Sequence, residues 1–308
     1  MKIIIELPTW LGDALMATPA IENLNNNFID PKITLIGSQV SIEALKNHPN
    51  ITKTYILEAN YFNLYKKIKS LDNFDFFFSF RGSLRSKLIK SCISSKRKYQ
   101  FNKFQYSNGH QVEKYNNFIN DSLNIKTTPK KLLLHHRANN QKSIRKLLGI
   151  NPGASYGSSK RWHPDKFAEV ARELSRSYDI IIYGVLADEV IANDIEKYLK
   201  ENGVKNYKNL VGKTTIEELI NEISNLDLLI TGDSGPMHMA AALQIPTISI
   251  FGPTKDKETS QWLNLKSIVV KKNLECQPCM KRVCPLKHHD CMKQIKVTDI
   301  LEAVDKLN

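Results

Sequence analysis

Apolar residues along this chain fall into short dense runs, separated by stretches in which they recur at helical spacing. KIIIEL (2–7), KITLIG (32–37) and FDFFFSF (74–80) have the length of buried strands, with ATPAIENLNNN and SIEALKN helical in pattern between them. LLGINPG (147–153) opens a second series. There YDIIIYG (178–184), LDLLITG (226–232) and PTISIFG (246–252) are the strands. DKFAEVARELSRS, DEVIANDIEKYLKEN, TIEELINEIS and PMHMAAALQ are the helices between them. Strand and helix in alternation predict an α/β chain of parallel sheets flanked by helices. Two units are expected, because 308 residues is about twice the length of one domain. RANNQKSIRK breaks the apolar rhythm near 138–146, which divides the chain into residues 1–143 and 144–308.

Composition narrows the class. A hydrophobic content of 42% is that of a globular protein. No apolar run approaches the ~20 residues of a membrane-spanning helix. MKIIIEL then turns polar and reads as a first strand, not a signal peptide, which predicts a cytoplasmic protein. The formal charge of +13 predicts an anionic partner: nucleic acid, a membrane face or a phosphorylated substrate. Much of the excess is local, since RGSLRSKLIKSCISSKRKYQFNK (81–103) holds eight Lys or Arg and no acid. One reading is a solvated face. The other is a patch in which Arg81, Arg85, Lys87 and Lys90 meet phosphate-bearing lipid, each basic residue contributing roughly 1 kcal/mol. Leu84, Leu88 and Ile89 suit a helix lying on an interface and an ordinary amphipathic helix equally.

The candidate chemistry sits in loops directly after strands, where open α/β sheets bind their ligands. In ITGDSGPMHMAAALQIPTISIFGPT (230–254), Asp233-Ser234-Gly235-Pro236 starts a helix. Pro suits a first helical position, and Ser or Asp ahead of it suits a cap. The helix start is a place for phosphate, and Gly235 would let it approach the backbone. A capped helix without a ligand explains the same residues, but not the second glycine turn, GPT (252–254). In NPGASYGSSKRWHPDKFAEV (151–170), a loop of small residues delivers Lys160 and Arg161. Small residues permit close backbone contact and a lysine is a point charge for phosphate, although a plain surface loop reads the same way. PTWLGD (8–13) lacks the G-x-G-x-x-G of a dinucleotide fold and offers one carboxylate, Asp13, beside Gly12. Asp13 fits a helix N-cap, a proton acceptor, or both. Finally, CQPCMKRVCPLKHHDC (276–291) spaces Cys276, Cys279, Cys284 and Cys291 as C-x2-C-x4-C-x6-C. It is a possible structural metal site or a reduced compact loop; its second pair is too far apart for a zinc ribbon.

Together LGD, PGASYGSSKRW, GDSGPMHMAAAL…FGPT and the cysteine segment resemble glycosyltransferase family nine, the ADP-heptose:lipopolysaccharide heptosyltransferases. CPLKHHDC most resembles the type II members, which add the second inner-core heptose. The resemblance implies a GT-B architecture, two Rossmann-like domains facing across a cleft. The N-terminal domain would take the acceptor and the C-terminal one ADP-heptose, with a C-terminal helix packing back toward the first domain. It implies inverting transfer of L-glycero-D-manno-heptose to the lipopolysaccharide or lipooligosaccharide inner core, with no metal required. By the same resemblance Asp13 is the catalytic base and Lys160 contacts the donor diphosphate. Ser155, Tyr156, Asp233, Ser234, Gly235 and His238 form donor-binding turns; Thr214, Asp188 and Glu189 are the candidates for the adenosine end. The partners implied are ADP-heptose, the inner-core acceptor and the cytoplasmic face of the inner membrane, where the protein would be peripheral. Acceptor specificity would lie in 50–145, where the motif signal is weak.

Other readings are the type I or III members of the family and a GT-B sugar-nucleotide epimerase, which would act without an acceptor. Outside enzymes stands a basic nucleic-acid-binding protein. No helix-turn-helix, RNA-binding aromatic motif or finger spacing supports that, so nucleic acid is not an expected partner.

Overall fold

The computed structural model describes residues 1–58, 60–136 and 143–307. The chain forms two compact units, and the stretch expected to divide them has its residues 138–142 outside the described ones.

In the first unit, strands β1 (Lys2–Glu6), β2 (Lys32–Gly37), β3 (Ile51–Ile56), β4 (Phe74–Ser79) and β5 (Ser95–Gln100) form one parallel sheet in the order β3-β2-β1-β4-β5. The chain winds outward from β1 through β2 to β3, then crosses back to β4, so the direction of winding reverses between β1 and β4. Loops leaving those two strands diverge and leave a crevice at their carboxyl ends. FDFFFSF shows why the sheet is covered on both faces. Phe77 packs with Ile4, Ile36, Leu64 and Ile89 on one side. Phe78 and Phe80 meet Phe118 edge-on at 6.5 and 5.5 Å between ring centroids, against the helix Gln111–Leu123. Alternate side chains of a strand point to opposite faces, and a parallel sheet buries both.

The second unit repeats the scheme with six strands: β6 (Lys146–Asn151), β7 (Tyr178–Ile182), β8 (Tyr207–Asn209), β9 (Leu228–Gly232), β10 (Thr247–Phe251) and β11 (Ser267–Lys271). Their order is β11-β10-β9-β6-β7-β8, all parallel, with the reversal between β6 and β9. The helix Pro164–Leu174 buries Phe167, Ala168, Val170 and Ala171 against the sheet. The C-terminal helix Val297–Leu307 buries Ile300, Ala303 and Val304 in this same core. Both units are therefore the doubly wound α/β type expected. Among the described residues no helix is long and apolar enough to cross a membrane.

All seven strands expected from apolar runs are present. The four the pattern did not reveal, β3, β5, β8 and β11, are the four sheet edges. An edge strand has neighbours on one side only, and SKRKYQ at β5 is basic because a charged edge discourages pairing with another chain.

Trp162 links this framework to the loops above it. It is buried, donates from Nε1 to the Ile295 carbonyl at 3.1 Å, and meets Phe167 edge-on at 5.0 Å. Trp162→Ala should destabilise the chain by about 3–5 kcal/mol, measured by denaturant unfolding of the full-length protein.

Candidate functional site

Each winding reversal carries a pair of polar residues at the last register positions of its two central strands. In the first unit the register sets Glu6 beside Ser79. Glu6 is fully buried and accepts hydrogen bonds from Ser79 Oγ (2.6 Å) and Ser86 Oγ (2.8 Å), with Arg81 Nη1 at 3.7 Å from its Oε1. Burial raises the Glu6 carboxyl above its ordinary value, and the two serines, Arg81 and Arg85 pull the other way. Asp13 stands in the first turn of the short helix Leu11–Met16, on the loop leaving β1. Trp10 takes the N-cap position, so the cap reading of Asp13 is corrected: it is the third helical residue. Tyr115, on the helix Gln111–Leu123, has a buried hydroxyl pushed well above its ordinary value by desolvation and then by the Asp13 charge. Gln111 and Arg81 oppose that shift, so Asp13, Arg81, Gln111 and Tyr115 share one electrostatic neighbourhood.

The basic run divides. Arg81 faces Glu6, and Arg85 donates to the Glu58 carbonyl. Lys87 and Lys90, on the helix Leu84–Cys92, line a groove of about 700 Å³ together with Lys103, Phe101 and Phe104. The run thus builds a helix and an edge strand, and two of its four singled-out cations turn inward.

In the second unit the register sets Asn151 beside Thr231. Asn151 Nδ2 lies 3.2 Å from both Thr231 Oγ1 and Ser234 Oγ, and the two hydroxyls are 3.0 Å apart. This changes the reading of the helix Gly235–Leu243. Ser234 occupies the N-cap position, but its side chain makes no cap hydrogen bond and turns to Asn151 and Thr231. The first-turn amides are left for another acceptor, which is the arrangement of an anion site. Pro236, expected at the first helical position, follows Gly235 at the second.

Lys160 reaches this helix start from the loop after β6. Its Nζ is 2.5 Å from Asp233 Oδ2, which also accepts from Thr254 Oγ1 at 2.7 Å, and it lies 4.6 Å from the Tyr156 ring centroid. One carboxylate thereby joins the loops after β6, β9 and β10, including the GPT turn. Tyr156 and Ser155 flank Lys160 differently: Ser155 is exposed, whereas the Tyr156 hydroxyl donates to the Met280 carbonyl at 2.8 Å. His238 is buried in the helix's second turn. Asp188 is buried, accepting from Arg161 Nη2 (3.3 Å) and the Val185 amide (3.2 Å), and so braces loops. Glu189 is exposed at a helix start, and Thr214 precedes the N-cap Thr215 of another. These three sit beyond the ends of β7 and β8.

The cysteine segment lies against the same loops. Ser159 N donates to Arg282 O at 3.1 Å, Ser159 Oγ to Lys281 O at 2.5 Å, and Gln277 Nε2 to Gly252 O at 2.6 Å. A Cβ on Gly157 would stand 2.3 Å from the Arg282 carbonyl oxygen. The small residues of this loop, read as room for a ligand, are thus small at Gly157 because another backbone crosses there. Glu22, His48 and His135 are the only group of three metal-capable side chains, among the described residues, whose ligand atoms lie within 4.8 Å of one another. His48 Nδ1 accepts from the Asn50 amide at 3.1 Å, which directs an Nε2–H toward Glu22, and His135 meets the His48 ring edge-on with centroids 4.7 Å apart, so the group is explained by one hydrogen bond and ring packing.

Sequence reading missed Glu6, Tyr115, Asn151, Thr231 and Thr254. The legible signal for three of them was a polar residue near the end of an otherwise apolar strand.

Doubly wound sheets with phosphate-suited turns at a winding reversal define a nucleotide-binding type of α/β protein. The chain belongs to glycosyltransferase family 9, the heptosyltransferases, whose profile matches residues 62–289, and it is a glycosyltransferase. It is 43% identical over 317 aligned positions to lipooligosaccharide heptosyltransferase 2 of Campylobacter jejuni, covering 100% of this chain and 98% of that one. Its fold matches the solved E. coli ADP-heptose lipopolysaccharide heptosyltransferase II with a TM-score of 0.83 at 22% identity, over 100% and 98% of the two chains. An E. coli heptosyltransferase solved with ADP matches with a TM-score of 0.76 at 14% identity, over 100% of both chains. These structures are of GT-B type, which bears out the architecture expected.

The buried Glu6 generates a pH prediction. A carboxyl with a raised folded-state pKa adds stability that is complete below its unfolded value and declines as pH rises through the folded value. The ordinary value for a glutamate carboxyl, which the unfolded chain is taken to share, is 4.5. As pH rises from there, the wild-type chain should lose stability relative to Glu6→Gln. Denaturant midpoints of the two proteins, compared at acid and neutral pH, check the sign of that difference.

Proposed function

We propose that this chain transfers heptose from ADP-heptose, with inversion, to a lipopolysaccharide or lipooligosaccharide inner core already carrying one heptose. The observation that carries this reading is the 43% identity to a heptosyltransferase 2 along the full length of both chains, since it spans the acceptor-side unit as well as the donor-side one. The epimerase alternative has structural likeness alone, at a TM-score of 0.53 and 14% identity.

The chemistry assigns each unit a task. Asp13 accepts the proton of the acceptor hydroxyl as its oxygen attacks the anomeric carbon. The bond from that carbon to the diphosphate oxygen breaks, and ADP leaves from the opposite face. Negative charge then grows on the diphosphate, where Lys160 and the amides of the helix start at Gly235 stabilise it; preorganised donors of this kind are each worth roughly 3 kcal/mol in the barrier. Asp233 and Thr254 hold Lys160 in position. Ser155 and Ser234 border the diphosphate, His238 supports the helix turn, and the loops carrying Asp188, Glu189 and Thr214 receive the adenosine. No metal enters this scheme at the diphosphate. The groove of Lys87, Lys90 and Lys103 with the exposed Phe104 suits an anionic, lipid-bearing acceptor. It would hold the enzyme peripherally at the cytoplasmic face of the inner membrane.

Asp13→Asn should retain ADP binding by calorimetry and lose turnover by ~10²–10⁴-fold; near-normal turnover would remove it as the base. Lys160→Ala should weaken ADP affinity and lower ADP release together, and if neither changes the diphosphate is held elsewhere. The substrate assignment is tested by ADP release from ADP-heptose with core acceptors bearing no heptose or one. Activity on the monoheptosylated acceptor alone is expected, and activity on the heptose-free acceptor would move the enzyme to the first transfer.

A further inference from the structure

The segment from Lys272 to His289 has no helix or strand, yet it supports the loop that delivers Lys160. Little of its own composition could hold it in one shape. Met280, Val283 and Leu286 are exposed, and the buried side chains Cys291 and Met292 come only at its end. Met280, Lys287 and His289 adopt left-handed backbone angles, φ 55°, 59° and 58°, without being glycine. A long irregular loop with such a backbone and no core calls for a cross-link, and small structures commonly obtain one from thiolate-bound metal.

The residues for it are in place. Cys276, Cys279, Cys284 and Cys291 all line one cavity of about 20 Å³, together with His288 and His289. That volume has room for one ion or water. Both neighbouring histidines are engaged otherwise: His289 Nε2 meets the Ser159 carbonyl at 2.9 Å, and His288 Nδ1 accepts from the Asp290 amide at 2.9 Å. Four thiolates around a divalent ion carry a net charge of −2, and Lys281, Arg282 and Lys287 are cations that lie between the second and fourth cysteines. No three of the sulfurs lie within 4.8 Å of one another. A tetrahedral ion with bonds of about 2.3 Å holds its sulfurs about 3.8 Å apart, so binding would draw them inward as the thiol protons leave.

We propose that the four cysteines bind a single thiophilic metal ion, zinc or ferrous iron, as a structural site. Its task is to brace the strip of backbone at 280–282 that fixes Tyr156, Gly157 and Ser159, and through them Lys160. The site takes no part in the chemistry. Its effect on ADP binding rests on the function proposed above, whereas its existence does not.

Full-length protein purified without added metal should contain about one zinc or iron per chain by mass spectrometry, retained through gel filtration. The apoprotein should take up Co²⁺ with the thiolate charge-transfer and tetrahedral d–d bands of a four-sulfur site. Cys279→Ser and Cys284→Ser should lose both signals, and Cys92→Ser should keep them. Chelation should weaken ADP affinity roughly tenfold, restored by Zn²⁺. A chain that neither carries metal nor binds Zn²⁺ or Co²⁺ overturns the proposal. So does metal retained in the Cys279→Ser, Cys284→Ser double variant, which would place it elsewhere, for instance at Glu22, His48 and His135. Iron accompanied by acid-labile sulfide would replace the single ion with a cluster, and unchanged ADP affinity in the apoprotein would remove the bracing role. Metal bound with no ADP affinity at all would leave the site standing and sink the donor assignment instead.

Discussion

The second unit is organised around the carboxylate of Asp233. Its side chain is 6% exposed, its partner Lys160 12%, and the two are 2.5 Å apart. Removing both charges from water costs nearly as much as their attraction returns, so such a pair adds little net stability. What it fixes is position. Lys160 comes from the loop after β6, Asp233 from the loop after β9, and Thr254 from the turn after β10, and all three meet on one oxygen. An ammonium has three donors. Asp233 engages the Lys160 ammonium through Oδ2 and, at 3.4 Å, through its backbone carbonyl, which leaves a donor for a ligand oxygen. Asp233 is therefore better understood as the residue that aims Lys160 than as a contact to phosphate, which its own charge would repel.

How much of this was legible in the sequence follows from burial. A central strand of a parallel sheet is covered on both faces, and its apolar run announces it. The edge strands are not so covered: ITKTYI, SKRKYQ and YKN carried no comparable run, and SIVVK, with three apolar residues in a row, was passed over. The loop motifs were legible because their residue types are rare in such positions: an acid in PTWLGD, a lysine among small residues, a DSGP helix start. Their hydrogen-bond partners were not. Ser234 has the composition of a cap and the geometry of a strand-end clamp, because the register of β6 on β9 brings Asn151 within reach of it. No local pattern encodes a register between strands about 80 residues apart.

The same register effect shapes the first unit. Glu6 on β1 meets Ser79 on β4 only because the sheet pairs them, and Arg81 follows two residues later. A buried carboxylate there, hydrogen-bonded by two serines and faced by an arginine, fixes the start of the β4 loop much as Asp233 fixes Lys160. Both sheets thus place a buried acid with a cationic partner at the winding reversal. The residues proposed to do chemistry are then different in kind: a carboxylate, Asp13, in one unit and an ammonium, Lys160, in the other. That division suits a reaction in which a proton is removed from one reactant and negative charge accumulates on the second.

Small residues near a phosphate-suited lysine invite the inference that a ligand needs the space, and two positions in this chain show where that inference fails. A side chain at Gly157 would strike the Arg282 carbonyl, and one at Gly153 would stand 2.1 Å from Asp188 Oδ2. Both glycines answer to protein atoms that approach from distant parts of the chain. The loop is consequently held from two sides, by Asp188 near its start and by the cysteine segment near Lys160. A loop so restrained pays less ordering entropy when a ligand arrives than one that must first find its shape. Preorganisation, rather than room, is what the glycines provide.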